Sequence, residues 1–139
     1  MCGIWLQIVK GEHTKILQPC TNYKKCKKTF MRFKSRGPDH SYFQQVSKDA
    51  IVGFHRLAIM DPTPVGNQPF TFSNPDSHTQ YWAICNGEIY NWKALKKELE
   101  SEYSFHSNSD CEVLIPLYLK YGFPKMLSFL DGVYAICIV

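Results

Sequence analysis

The chain has 139 residues, 45% of them hydrophobic and 14% aromatic, which suits one globular domain with a sizeable core and leaves no room for two ordinary ones. Its longest apolar runs fall far short of a membrane span, and its apolar start has no basic region before it and no cleavage site after it, so a cytoplasmic protein with no membrane partner is expected. The net charge of +4 is modest and gathers in Tyr23-Lys24-Lys25-Cys26-Lys27-Lys28 with Arg32, Lys34 and Arg36, a pattern that reads as a solvated helix face rather than a nucleic-acid patch.

In chain order, residues 4–9 read as a buried strand and Gly11-Glu12 as a turn. Ile16, Cys20, Tyr23, Cys26, Phe30 and Phe33 recur at intervals of three and four, one face of a helix that must stop before Arg36-Gly37-Pro38-Asp39. Residues 41–46 and 50–54 read as two strands around the polar turn Ser47-Lys48-Asp49. Pro62, Pro64 and Pro69 make the following stretch an irregular loop, and residues 81–85 read as a strand broken by the hairpin signal Asn86-Gly87. Asn91 can cap a helix through Glu102. Ser109-Asp110-Cys111-Glu112 has capping-box spacing for a helix through Tyr121, ended by Gly122. A short helix over 124–130 and a strand over 133–139 complete the pattern. Clustered strands with helices outside them predict an α+β sandwich.

The six cysteines do not form a disulfide or zinc pattern. Cys85, Cys111 and Cys137 sit in apolar runs, as reduced core thiols do, and Cys20 and Cys26 have the wrong spacing for the common zinc knuckles, so no metal site is expected. Cys2 is different. Removal of Met1 would give a residue carrying both a thiol and a free α-amine, whose pKa of about 7.7–8.0 lets it take the thiol proton near neutral pH.

An acyl-transfer nucleophile needs oxyanion donors and grips for its substrate. Asn86-Gly87 offers a side-chain amide and an unshielded backbone N–H, although a plain hairpin turn explains the same dipeptide. Arg56, next to irregular backbone, can take a carboxylate in bidentate fashion or lie on the surface. Asp110 can receive an ammonium group or simply favour a helix start. Taken together, a thiol, a carboxylate grip and an ammonium grip describe a site for a free α-amino acid with a reactive side chain. His13, His40, His55, His78 and His106 form no Cys-His pattern and are expected to be structural or exposed.

Met1-Cys2-Gly3-Ile4, Arg36-Gly37-Pro38-Asp39, His55-Arg56-Leu57-Ala58-Ile59-Met60-Asp61, Gln68-Pro69, Asn86-Gly87-Glu88-Ile89-Tyr90-Asn91 and Ser109-Asp110-Cys111-Glu112 occur in this order. Over residues 1–139 the set closely resembles the N-terminal glutaminase domain of the glutamine-hydrolysing asparagine synthetases. These are class II glutamine amidotransferases with the N-terminal nucleophile hydrolase fold, a four-layer α/β/β/α sandwich around two mainly antiparallel sheets. Leu57 after the arginine, with the Asp61-Pro62 and Gln68-Pro69 loop, resembles the asparagine synthetase branch more than the phosphoribosyltransferase and sugar-phosphate relatives.

The resemblance implies Cys2 as nucleophile with its α-amine as base, and Asn86 and Gly87 as the oxyanion hole. It implies Arg56 for the α-carboxylate of L-glutamine, Asp110 with Glu88 near its α-amine, backbone groups of Leu57, Ala58, Ile59 and Met60 lining the pocket, and Arg36 supporting the nucleophile's loop. Hydrolysis itself would need no cofactor. ATP and magnesium are expected only in a synthetase domain, acting in cis or in trans, whose pyrophosphate loop lies outside this sequence. Ser35 departs from the histidine common in the family before Arg36-Gly37-Pro38-Asp39. Residues 1–139 are thus expected to be a glutaminase domain incomplete at its C-terminus, with an open strand edge that makes it marginal or self-associating; homo-oligomers are left open. The alternatives are a non-catalytic glutamine-binding fragment and the glutaminase domain of another amidotransferase.

Overall fold

A computed structural model describes residues 2–8 and 23–139. Its chain divides into two compact units, residues 1–57 and 58–139. The first half of the expected 16–33 helix and the Gly11-Glu12 turn lie outside the described residues, as does Cys20.

In the first unit, β1 (Gly3–Ile8), β2 (His40–Gln45) and β3 (Ala50–Arg56) form an antiparallel sheet in the order β1-β3-β2. The central strand β3 is buried along its whole length, as Ala50-Ile51-Val52-Gly53-Phe54 requires. It extends to Arg56, two residues past the expected end. The register sets Gly3 opposite His55 on one side and His40 opposite Arg56 on the other, so Arg56 and the start of the strand that follows Cys2 share one end of the sheet. Helix α1 (Tyr23–Met31) turns Phe30 inward, fully buried, and leaves Lys24, Lys25, Lys27 and Lys28 exposed. A 3₁₀ turn at Lys34–Arg36 follows.

Phe30 stacks on His55 with ring centroids 3.8 Å apart and the planes 9° from parallel. His55 is a fully buried structural residue, consistent with its expected structural role. Its Nε2 lies 3.0 Å from the Phe30 carbonyl and its Nδ1 2.8 Å from the Ser41 hydroxyl. Burial holds its pKa below 6.5, the Phe30 carbonyl partly opposes this, and the charge of Lys34 adds to the lowering. The unfolded chain therefore binds this proton at higher pH than the folded chain does. The stabilising contribution is complete above pH 6.5 and is lost as pH falls through the window below it. Urea midpoints measured from neutral pH downward are expected to decline below pH 6.5, and His55→Gln is expected to flatten that decline. Equal slopes for the two chains would remove His55 as its source.

In the second unit, β4 (Phe70–Ser73), β5 (Gln80–Ile89) and β6 (Gly132–Ile138) form an antiparallel sheet in the order β4-β5-β6. Helices α2 (Trp92–Leu99), α3 (Leu114–Tyr121) and α4 (Phe123–Leu127) complete it. Leu95, Leu99, Val113, Leu114, Ile115, Leu117 and Met126 join Phe70, Ala83, Cys85 and Ile89 in one apolar core. Cys85 and Cys111 lie within it as free thiols. A hydrogen bond with Cys85 and burial push the Cys111 thiol well above the usual range, the behaviour of an inert core cysteine.

Three expectations are corrected here. Asn86-Gly87 is no hairpin turn: β5 runs straight through it to Ile89 and pairs with β6, with Asn86 opposite Ala135 and Gly87 opposite Tyr134. The loop after Asp61 contains a 3₁₀ turn at Pro64–Gly66 and then the short strand β4, which pairs Phe70 with Ala83. The capping box is only half formed. The Ser109 hydroxyl accepts from the Cys111 N–H at 3.4 Å, opening a 3₁₀ turn over Asp110–Val113 ahead of α3. Glu112, buried, reaches instead to the N–H groups of His106 and Ser107, both at 2.8 Å, and to the Ser107 hydroxyl.

Candidate active site

In the first unit, Cys2 precedes β1, and its sulfur lies against the end of β3. The Leu57 N–H donates to Cys2 Sγ at 3.3 Å, and the thiol faces the Leu57 carbonyl at 3.6 Å. The Leu57 backbone thus contacts the sulfur through both its N–H and its carbonyl. The Cys2 carbonyl accepts from Arg36 Nε at 3.2 Å, so the arginine holds the Cys2 backbone and leaves the thiol to other partners.

Why the turn at Arg36-Gly37-Pro38-Asp39 needs glycine follows from what lies beside it. A Cβ on Gly37 would come within 2.2 Å of the His55 carbonyl oxygen and 2.6 Å of the Arg56 carbonyl carbon. The chain there packs directly on the β3 backbone, and Asp39 N–H closes the contact by donating to the Arg56 carbonyl at 3.0 Å. Arg56 is 5% exposed, a buried guanidinium rather than a surface one. Cys2, Arg36, Arg56 and Leu57 are thus brought together at one end of the first sheet.

In the second unit, Ala58, Ile59 and Met60 form an irregular segment, with Ile59 and Met60 exposed. Asp61 anchors its end with a left-handed φ of 44°. Its Oδ1 accepts from the Thr63 N–H at 3.2 Å and from the Thr63 hydroxyl, while Oδ2 accepts from the Asn108 N–H at 2.7 Å. Asp61 therefore ties the segment carrying Ala58, Ile59 and Met60 to the one carrying Asp110. In the sequence Asp61 stands out only as the end of the His55–Asp61 motif, and the Asp-Pro-Thr turn chemistry is the local signal of this anchoring role.

The edge of β5 carries the other candidate residues of the second unit. Trp82 and Val139 exchange N–H···O bonds at 2.9 Å in both directions, which fixes the even-numbered residues of β5 as the ones facing β6. The N–H groups of Cys85, Gly87 and Ile89 consequently point to the opposite edge. There the Cys85 N–H donates to Gln68 Oε1 at 2.6 Å and the Ile89 N–H donates to Asp110 Oδ2 at 2.8 Å. Gly87 N–H lies between these two anchored neighbours, on an exposed residue. Asn86 is half-buried and Glu88 is exposed next to it. Asp110 is 5% exposed, so its carboxylate is a fixed, buried group rather than a mobile surface acid.

The sequence matches the family described as glutamine amidotransferase domain over residues 1–139. It is 39% identical over 142 residues to the probable asparagine synthetase [glutamine-hydrolyzing] of Acanthamoeba polyphaga mimivirus, covering 100% of this chain and 24% of that protein. It is 37% identical over 137 residues to the asparagine synthetase [glutamine-hydrolyzing] of Rattus norvegicus, covering 97% of this chain and 22% of that one. Among solved structures, the glutamine phosphoribosylpyrophosphate amidotransferase of B. subtilis superposes with a TM-score of 0.57 and 28% identity, over 66% of this chain and 21% of that chain. The chain belongs to the glutamine amidotransferase domain family, with the mixed helix and antiparallel-sheet architecture of its N-terminal nucleophile members. It spans about a quarter of the length of the asparagine synthetases it matches.

Proposed function

We propose that this chain hydrolyses the side-chain amide of L-glutamine through Cys2, and that in a longer protein the ammonia serves ATP-dependent synthesis of asparagine from aspartate. The observation that carries the reading is the hydrogen bond at 3.3 Å from the Leu57 N–H to the Cys2 sulfur, beside a carbonyl held by Arg36, in a chain of this family.

The α-amine exposed by loss of Met1 takes the thiol proton, and the Cys2 thiolate attacks the Cδ carbon of glutamine. Negative charge develops on the carboxamide oxygen, where the Asn86 side-chain amide and the Gly87 N–H are the donors. Collapse expels ammonia, which carries away the proton from the α-amine, and leaves a γ-glutamyl thioester. Water then attacks the thioester, glutamate departs, and the thiol is restored. Arg56 receives the substrate α-carboxylate, Asp110 with Glu88 receives its α-ammonium, and backbone groups of Leu57, Ala58, Ile59 and Met60 line the bound chain. Hydrolysis uses groups of the chain itself and water and calls for no cofactor; ATP and magnesium belong to the synthetase partner.

A second reading keeps this chemistry and changes the ammonia acceptor, as the likeness to the B. subtilis amidotransferase allows. Leu57 after Arg56 and the names of the more similar relatives favour asparagine synthesis. The test is an assay of the Met1-free chain with glutamine. Glutamate and ammonia in equal amounts are expected, and a folded, Met1-free chain that releases neither would leave glutamine binding without hydrolysis as the better account.

A further inference from the structure

β5 is longer than the strand beside it. β4 pairs with it from Ser73 opposite Gln80 to Phe70 opposite Ala83, and there β4 ends. Beyond Ala83, the edge of β5 that faces away from β6 has no β4 residue opposite it, although the strand continues to Ile89. Backbone N–H groups on a buried stretch of such an edge need another acceptor.

Gln68 supplies one. It lies two residues before β4 and is 8% exposed. Its Oε1 accepts the Cys85 N–H at 2.6 Å, so a side chain takes the place that the next residue of a strand would have occupied. The next N–H along the same edge is that of Gly87, about 7 Å further at the ordinary rise of a strand. The one after it, on Ile89, is held by Asp110 Oδ2 at 2.8 Å. Two side-chain acceptors thus flank the Gly87 N–H, one on either side.

We propose that Gln68 is a positioning residue for the oxyanion donors: by holding Cys85 it sets the height and tilt of the stretch of β5 that carries the Asn86 side-chain amide and the Gly87 N–H. The inference rests on the glutaminase reading above. Oxyanion donors act chiefly on the transition state, and small displacements reduce turnover much more than binding. Loss of the Gln68 acceptor should therefore appear in kcat and leave KM in place. Gln68→Leu removes the acceptor and strands the Cys85 N–H. Gln68→Glu keeps an oxygen at the same reach whether or not it is ionised.

The experiment measures kcat, KM for glutamine and thermal midpoint for the unaltered chain, Gln68→Leu and Gln68→Glu, each freed of Met1. The expected result is a fall in kcat of about tenfold or more in Gln68→Leu with KM within about twofold, and recovery of most of kcat in Gln68→Glu. A folded Gln68→Leu chain with unchanged kcat, or one whose change lies in KM, overturns the proposal. So does a lowered thermal midpoint with unaltered kcat, which is the signature of a purely structural hydrogen bond. Should Gln68→Leu fail to fold, Gln68→Ser is decided by the same two ratios, because its hydroxyl is too short to reach Cys85 and its cavity admits water. Absence of Cys2-dependent glutaminase in the unaltered chain overturns the glutaminase reading and this inference together; normal activity there with normal kcat in the variants overturns this inference alone.

Discussion

Cys2→Ala is expected to abolish ammonia release from glutamine, a loss of about ten-thousandfold or more in kcat, while the chain keeps its thermal midpoint. The two halves of that expectation have separate causes. The activity depends on sulfur, because alanine offers no nucleophile and no thioester can form. Stability depends mainly on contacts made by the backbone at this position: Arg36 holds the Cys2 carbonyl at 3.2 Å, and Gly3 pairs with His55 from the next residue on. The sulfur adds its hydrogen bond from the Leu57 N–H at 3.3 Å, and a group that is not deeply buried loses little when that bond is exchanged for water. Ammonia assay and thermal melt on one preparation check both halves. Release that persists in Cys2→Ala would remove Cys2 as nucleophile.

Gly87→Ala is expected to have the largest effect on stability, about 3 kcal/mol, by overpacking that cannot be relieved locally. A Cβ at Gly87 would stand 2.1 Å from the Val133 carbonyl oxygen and 2.5 Å from the Tyr134 Cα. Both are backbone atoms of β6, so relief means pushing two paired strands apart. The register from Ala83 opposite Ile138 to Ile89 opposite Gly132 opposes that movement along the whole ladder. Urea unfolding followed by far-ultraviolet circular dichroism should show the midpoint fall with an unchanged slope. A Gly87→Ala chain as stable as the unaltered one would mean that β6 yields far more easily than its pairing suggests.

Gly87 also shows where sequence reasoning succeeds and where it stops. Asn86-Gly87 was legible as a candidate oxyanion pair and as a hairpin turn, because both readings are local. What excludes the turn is β6, more than forty residues further along the chain, and no local pattern announces which distant strand a glycine must accommodate. The strands over 41–46 and 50–54 were legible because alternation and a polar turn lie within a few residues of each other; the structure places them at His40–Gln45 and Ala50–Arg56. β4 was missed because Phe70-Thr71-Phe72-Ser73 is four residues long and follows a proline-rich stretch. Cys2 and Arg56 were legible as candidates from their chemistry. Gln68 and Asp61 were not, since each acts on the backbone of a segment remote in sequence: Gln68 on Cys85, Asp61 on Asn108. Glu112 was legible as a helix-capping acid, yet its carboxylate serves the preceding loop at His106 and Ser107. For Gly87, Gln68 and Asp61 residue type gave the chemistry, and long-range pairing decided the partner.

The central claim is that the Cys2 sulfur becomes acylated by glutamine, and the most direct measurement is to trap that sulfur with a diazoketone analogue of glutamine and map the label by peptide mass. One label per inactivated, Met1-free chain is expected on Cys2, with free glutamine slowing its incorporation and the buried Cys85 and Cys111 left unmodified. Inactivation with the label on another residue, or with Cys2 unmodified, would contradict the account.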